Sequence, residues 1–255
     1  MSLVKGEFEI DSINSVEDTK GNNGEKGALN CTNLRMIWIS HKNARVNLSI
    51  GYDAIINTSI RMANSRLRGN SEALFVMAKY GGTRFEFIFT SLIKKSPRLF
   101  TTAQSVFRAY ETSKLYRDLK LRGAIMKDKE LIVLPDERIL DKISGVWNLS
   151  SEQGNLGSFF ITNIRVVWFA NLAENFNVSI PYLQMKGVWK RNSKFGVALV
   201  IETTQQSGSY VLGFRLDPEH KLEATKDEIY KLWKVYSKNP MFGVHFETQK
   251  EPLPI

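Results

Sequence analysis

Gly154-Asn155-Leu156-Gly157, followed by Thr162-Asn163-Ile164-Arg165-Val166-Val167-Trp168, decides how this chain folds, because the same box stands earlier in it. The first copy reads Gly24-Glu25-Lys26-Gly27, then Thr32-Asn33-Leu34-Arg35-Met36-Ile37-Trp38. The shared pattern is GxxGxxxxTNxRxxW, and 130 positions separate the copies (24 to 154, 38 to 168). The register continues without a gap, Val46-Asn47-Leu48-Ser49-Ile50-Gly51-Tyr52 answering Phe176-Asn177-Val178-Ser179-Ile180-Pro181-Tyr182. A repeat as long as a domain means two copies of one folding unit.

Working outward, the repeated segment alternates. Val46, Leu48 and Ile50 take one face and Asn47 and Ser49 the other, and the second copy does the same. Period two predicts strands with one face on a core and one in solvent. Upstream, Ser15–Lys20 and Val146–Ser150 read as strands, with residues 1–13 a lead-in of unassigned structure. The Gly/Asn-rich run from Gly21 to Gly24 is a turn. Inside the box, Ala28–Thr32 and Leu34–Ser40 are predicted strands joined at Thr32-Asn33, where Asn tolerates left-handed backbone. Further strands follow at 54–61, 73–78 and 84–89, and at 187–191, 197–202 and 210–214.

Each copy then closes with a helical pattern. After Pro97 the apolar positions are Phe100, Ala103, Phe107, Tyr110 and Leu121. After Asp217-Pro218 they are Leu222, Thr225, Ile229, Leu232, Trp233 and Tyr236. Spacing of three to four is that of an amphipathic helix. Asp217 is the expected N-cap, with Pro218 at the first helical position. The expected fold is therefore mainly β, two tandem pleckstrin-homology-like barrels, each of about seven antiparallel strands capped by a C-terminal helix. The predicted division is 1–122 for the first domain, 123–142 for a linker with a strand at 131–135, 143–240 for the second domain, and 241–255 for a tail.

Composition bounds the function. Hydrophobic residues make up 43% of 255, enough for two cores. The single cysteine, Cys31, excludes a disulfide framework and fits a reducing compartment. No secretory signal or membrane-length apolar run is visible. The three histidines, His41, His220 and His245, stand in unrelated contexts, no Cys/His metal spacing exists, and no GxSxG nucleophile motif is present. An enzyme is not expected, nor a cofactor or metal. The net charge of +9 favours an acidic partner. Nucleic acid is disfavoured, because the strands lack consecutive exposed aromatics for base stacking.

The boxed residues read as structural. Trp38 and Trp168 anchor cores, and Arg35 and Arg165 are assigned hydrogen-bonding roles beside a tight turn with Asn33 and Asn163. Gly24, Gly27, Gly154 and Gly157 lie between strands, not between a strand and a helix as a nucleotide loop requires.

The binding candidates are cations. In an up-and-down meander the connections after strands one, three and five emerge at one end. In the first unit they are expected to hold Lys20 and Lys26, then Lys42 and Arg45, then Arg61, Arg66 and Arg68. Seven cations there suit a phosphate-bearing headgroup. In the second unit the corresponding connections carry Glu152, Glu174, and Lys190, Arg191 and Lys194, a mixture that makes it the weaker candidate. The alternative is that these charges are solvated or dock on an acidic subunit. Residues 94–122 read as a basic helix with eight cations against Glu111 and Asp118, its charges an outer solvated face or a docking surface.

With both boxes and the runs Glu17-Asp18-Thr19-Lys20-Gly21-Asn22-Asn23-Gly24, Thr83-Arg84-Phe85-Glu86-Phe87-Ile88-Phe89-Thr90 and Asn177 to Leu183, the sequence resembles the Bardet–Biedl syndrome protein 5 family from about Glu7 to Phe246. The resemblance implies two pleckstrin-homology-like domains, phosphoinositide binding, and membership with other subunits of the BBSome, a coat-like adaptor for ciliary membrane proteins that supports ciliogenesis. It implies a place in the cytoplasm, cilium and basal body, peripheral on the ciliary membrane. The family's longer acidic C-terminal tail has no counterpart in the sequence up to Ile255. The competing expectation is a purely structural subunit whose domains dock on others and bind no lipid.

Overall fold

The computed structural model describes residues 2–22, 24–150 and 154–246. The chain divides into two compact units. One holds the chain through Thr112 and again from Val244; the other is Ser113–Gly243.

In the first unit, strands β1 (Glu9–Asp18), β2 (Glu25–Thr32), β3 (Arg35–Ser40), β4 (Asn47–Gly51), β5 (Ile55–Ser65), β6 (Gly69–Tyr80) and β7 (Thr83–Ser91) precede helix α1 (Arg98–Thr112). The order across the antiparallel sheet is β4-β3-β2-β1-β7-β6-β5, so the meander turns back on itself where β7 meets β1. Trp38, Leu29, Leu74, Val76 and Phe89 fill the core, and Leu99, Ala103 and Val106 of α1 close it. Phe246, from the returning segment, packs against the same core.

The second unit begins with the short strands β8 (Lys120–Leu121), β9 (Met126–Lys127) and β10 (Glu130–Leu131). The repeat follows: β11 (Ile139–Asn148), β12 (Asn155–Thr162), β13 (Arg165–Ala170), β14 (Ala173–Pro181), β15 (Met185–Ser193), β16 (Gly196–Thr203), β17 (Val211–Leu216) and α2 (Lys221–Tyr236). Its order is β15-β16-β17-β11-β12-β13-β14-β8. Both units are thus antiparallel barrels of seven repeated strands, each capped by a C-terminal helix, as the periodicity predicts.

The second sheet differs in one respect. Residues of β12 and β13 are buried on both faces, because Ile125, Leu131 and Met126 pack on Phe160, Val167 and Phe169. Continuous apolar runs such as Phe159-Phe160-Ile161 are what a doubly covered strand requires.

Several local expectations are corrected. The lead-in at residues 9–13 is already strand β1, bent at a bulge where Ser15 has φ 58° and its equivalent Gly145 φ 81°. Asn33 and Asn163 are not left-handed; their side chains hold the lead-in instead. Helix α1 stops at Thr112, and Lys120–Leu121 pairs with Ser179 and Val178 of β14. The expected basic helix therefore breaks up, and Arg117 is buried with Nη1 donating to the Ser113 hydroxyl and the Phe242 carbonyl. Of 131–135 only Leu131 is strand. Asp217 does not cap α2, which starts at Lys221 after His220.

The box explains why the units close. Trp38 and Trp168 are wholly buried, with Nε1 donating to Val16 O at 3.0 Å and Val146 O at 2.9 Å. Burying such a ring removes roughly 150–250 Å² from water, worth about 4–6 kcal/mol at about 25 cal/mol per Å². The second glycine makes the room. A Cβ on Gly27 would stand 2.6 Å from Trp38 Cε2 and 2.3 Å from Ile39 O; on Gly157 the same contacts are 2.6 Å to Trp168 and 2.1 Å to Phe169 O.

Candidate functional site

The Thr-Asn-x-Arg half of the box is a clasp for the lead-in. Thr32 Oγ1 accepts the Leu34 and Arg35 amides, which fixes the turn between β2 and β3. Asn33 accepts the Phe8 amide and donates to Gly6 O, both at 2.9 Å. Arg35 then grips Glu7 with Nε on Oε1 at 2.8 Å and Nη2 on Oε2 at 3.0 Å, while Nη1 donates to Ser49 Oγ. The Val4 amide and the Thr32 hydroxyl complete the carboxylate's bonding. Burial pushes the Glu7 carboxyl up, but these donors outweigh it and hold it below the usual carboxylate range. In the second unit Glu137, Thr162, Asn163, Arg165 and Ser179 repeat the arrangement. The donors named here are bonded internally, so the repeated polar half of the box is committed to holding the lead-in.

The cations at the sheet ends are the remaining candidates. Lys26 lies in β2, and its carbonyl accepts the His41 amide at 3.0 Å, which sets the β1–β2 and β3–β4 connections side by side. Lys26, Lys42 and Arg45 are exposed there. The turn from β5 to β6 leans on the same end: Glu17, wholly buried, accepts the Ser65 hydroxyl and the Arg66 amide. A Cβ on Gly24 would meet Arg66 Cβ at 2.9 Å. Three connections of the first unit, which carry Lys26, Lys42, Arg45 and Arg66, thus lie at one end, while the Arg68 guanidinium reaches Ser91 O.

Two of the seven cations are placed differently. Arg61 is not in a connection; β5 runs on to Ser65, and the guanidinium carbon sits 5.4 Å from the Phe75 ring centroid. Lys20 is in its loop but pairs with Glu86 at 2.7 Å. Glu86 and Arg61 line one shallow cavity of about 60 Å³, so an acid offsets both cations.

In the second unit Lys190 and Arg191 lie inside β15, again because the strand is longer than its apolar core implies. Lys190 and Lys226 both pair with Glu223 of α2. Lys194 occupies the β15–β16 turn, 4.9 Å from the Phe195 ring. Glu174 accepts the Lys129 amide, and Glu152 is outside the described residues.

Arg68 has neighbours that the sequence reading assigned to a helix. Its Nη1 donates to Ser91 O at 2.6 Å, at the end of β7. Beyond Ser91 the loop to α1 carries Lys94 and Lys95, both exposed. Pro97 was the available signal, since a proline in a first helical turn puts the residues before it outside the helix.

A family model described as the Bardet-Biedl syndrome 5 protein N-terminal PH-like domain matches residues 7–112, and one for the second PH-like domain of that protein matches residues 120–246. The chain is 60% identical over 255 residues to BBSome complex member BBS5 of Danio rerio, covering 100% of this chain and 75% of that protein. Identity to BBSome complex member BBS5 of Homo sapiens is 58%, with the same coverage. To BBSome complex member bbs-5 of Caenorhabditis elegans it is 48% over 254 residues, 96% of this chain and 70% of the relative.

Proposed function

The chain belongs to the Bardet–Biedl syndrome 5 family, and from that premise we propose that it is a non-enzymatic subunit of a BBSome-type complex which binds phosphoinositide-bearing membrane through its first unit. The observation that supports the lipid part is that the connections bearing exposed Lys26, Lys42 and Arg45 and the turn bearing Arg66 lie at one end of that unit. Each basic residue held near an anionic leaflet contributes about 1 kcal/mol, so several in one patch suffice for reversible attachment without a membrane-spanning segment. Attachment of this kind suits a role at the ciliary membrane and basal body, in trafficking of membrane cargo and in ciliogenesis.

The second unit is assigned to assembly with other subunits, because Glu223 offsets Lys190 and Lys226. The test is flotation of the full chain with phosphatidylcholine vesicles with and without a phosphoinositide, alongside reconstitution with its partner subunits. Phosphoinositide-dependent flotation together with co-assembly is expected. Co-assembly without flotation leaves a docking subunit that binds no lipid.

A further inference from the structure

A cavity of about 500 Å³ opens in the first unit between the β5–β6 turn and the β7–α1 loop. Arg68, Lys94, Lys95, Ser71, Ser91 and Ser96 line it on the polar side, with one acid, Glu72, and with Met62, Pro97 and Phe100 as its apolar wall. We propose that this cavity seats the phosphorylated inositol headgroup of a membrane lipid, and that the β1–β2 and β3–β4 connections contribute only general attraction. The proposal rests on the membrane-binding reading above and assigns its site.

Three features carry it. The first is convergence of positive charge. Arg68 is held in place by its bond to Ser91 O. Lys94 and Lys95 make no ion pair within the described residues. Their ammonium groups therefore remain available for phosphate. Arg68 supplies a planar fork of donors next to them, and the start of the 15-residue helix α1 adds its positive end.

The second feature is what surrounds the cations. Leu67 at the tip of the β5–β6 turn is 54% exposed and Ile93 in the β7–α1 loop 51%. Met62 on the cavity wall is 56% exposed. Large apolar side chains flanking a basic cavity suit a site that meets the acyl boundary of a bilayer while its floor takes the headgroup. A soluble phosphate compound gains nothing from them.

The third is the internal comparison that the duplication supplies. Leu92 N donates to Ser15 O at 2.8 Å, and Asp217 N donates to Gly145 O at 2.8 Å, so these residues occupy one place in the two units. After it the first unit reads Ile93-Lys94-Lys95-Ser96, and the second Pro218-Glu219-His220. Beside that corner of the second unit, Glu223 of α2 holds Lys190. The same corner is basic and open in one copy and acid-bearing in the other, which marks the cations as an addition to the shared fold and not a requirement of it.

The test uses the full chain with four probes: phosphatidylcholine vesicles carrying a phosphatidylinositol bisphosphate, vesicles carrying phosphatidylserine, soluble inositol trisphosphate, and inorganic phosphate. Lys94→Glu with Lys95→Glu should weaken binding to the phosphoinositide vesicles and to inositol trisphosphate by about tenfold or more. Lys26→Glu with Lys42→Glu and Arg45→Glu should weaken vesicle binding modestly and leave the soluble headgroup unaffected. Leu67→Ser with Ile93→Ser should reduce vesicle binding and spare inositol trisphosphate. Circular dichroism of each variant checks the fold. If the Lys26/Lys42/Arg45 variant abolishes binding while the Lys94/Lys95 variant retains it, the cavity assignment is overturned and membrane binding stands. Equal affinity for phosphatidylserine vesicles overturns the headgroup seat in favour of bulk charge. Binding to inositol trisphosphate alone, lost in the Lys94/Lys95 variant, upholds a phosphate cavity and overturns the membrane reading. No binding to any probe overturns both.

Discussion

Glu137 and Arg165 face each other with neither side chain exposed, Arg165 Nε on Oε1 at 2.8 Å and Nη2 on Oε2 at 2.9 Å. Glu7 and Arg35 form the same bidentate pair 130 positions earlier, with Arg35 21% exposed. Removing one member of a buried pair strands the other without water. Arg165→Ala is therefore expected to cost about 3–5 kcal/mol, and Arg35→Ala less, because water reaches the exposed edge of that pair. Urea unfolding followed for each unit's own transition checks both, and equal losses would contradict the assignment.

Acid should loosen the first unit. Burial alone pushes the Glu7 and Asp11 carboxyls up, but Arg35, Val4 and Thr32 around Glu7, and Arg98 and Thr102 around Asp11, bring both below their ordinary values. A carboxyl depressed in the folded state contributes its stability fully above the unfolded pKa, near 4, and loses it as pH falls through the folded value. Melting temperature of the first unit should hold from neutral pH down to the ordinary carboxylate range and then fall. Glu7→Gln should flatten part of that slope, and a profile unchanged by the substitution would rule out this origin.

Gly27→Ala and Gly157→Ala each force a methyl against a tryptophan ring and a neighbouring strand's carbonyl. Overpacking of a filled core costs typically 1–3 kcal/mol, occasionally more, and backbone on one side of the methyl leaves little room to relax. Lowered unfolding midpoints with altered tryptophan emission are expected for both.

Tyrosines at one repeated place should respond differently. Tyr182 donates its hydroxyl to Thr162 O at 2.8 Å, whereas the buried Tyr52 hydroxyl has no oxygen or nitrogen partner among the described residues. It lies beside Cys31, whose thiol burial pushes up to about 12; the second unit has Ile161 in that place. Tyr182→Phe should cost on the order of 1 kcal/mol, and Tyr52→Phe less, because its hydroxyl meets only the weakly bonding Cys31 thiol. Thermal unfolding of the two variants compares them directly.

The duplicated box, the alternating strands and the closing helices were legible because they depend on neighbours along the chain: pleat, helical pitch and turn chemistry are local. The clasp partners were harder to see. Glu7 and Glu137 stand well upstream of their boxes as single carboxylates in unremarkable runs, although their own spacing of 130 was a signal. Which cations remain available was settled by folding alone. Glu86 reaches Lys20 across 66 positions, Glu223 reaches Lys190 across 33, and Lys94 and Lys95 come beside Arg68 only once β7 has paired with β6. Charge acts through space, so repeats and periods can announce the barrels, while only the closed barrel decides which positive side chains are neutralised and which are left for a partner.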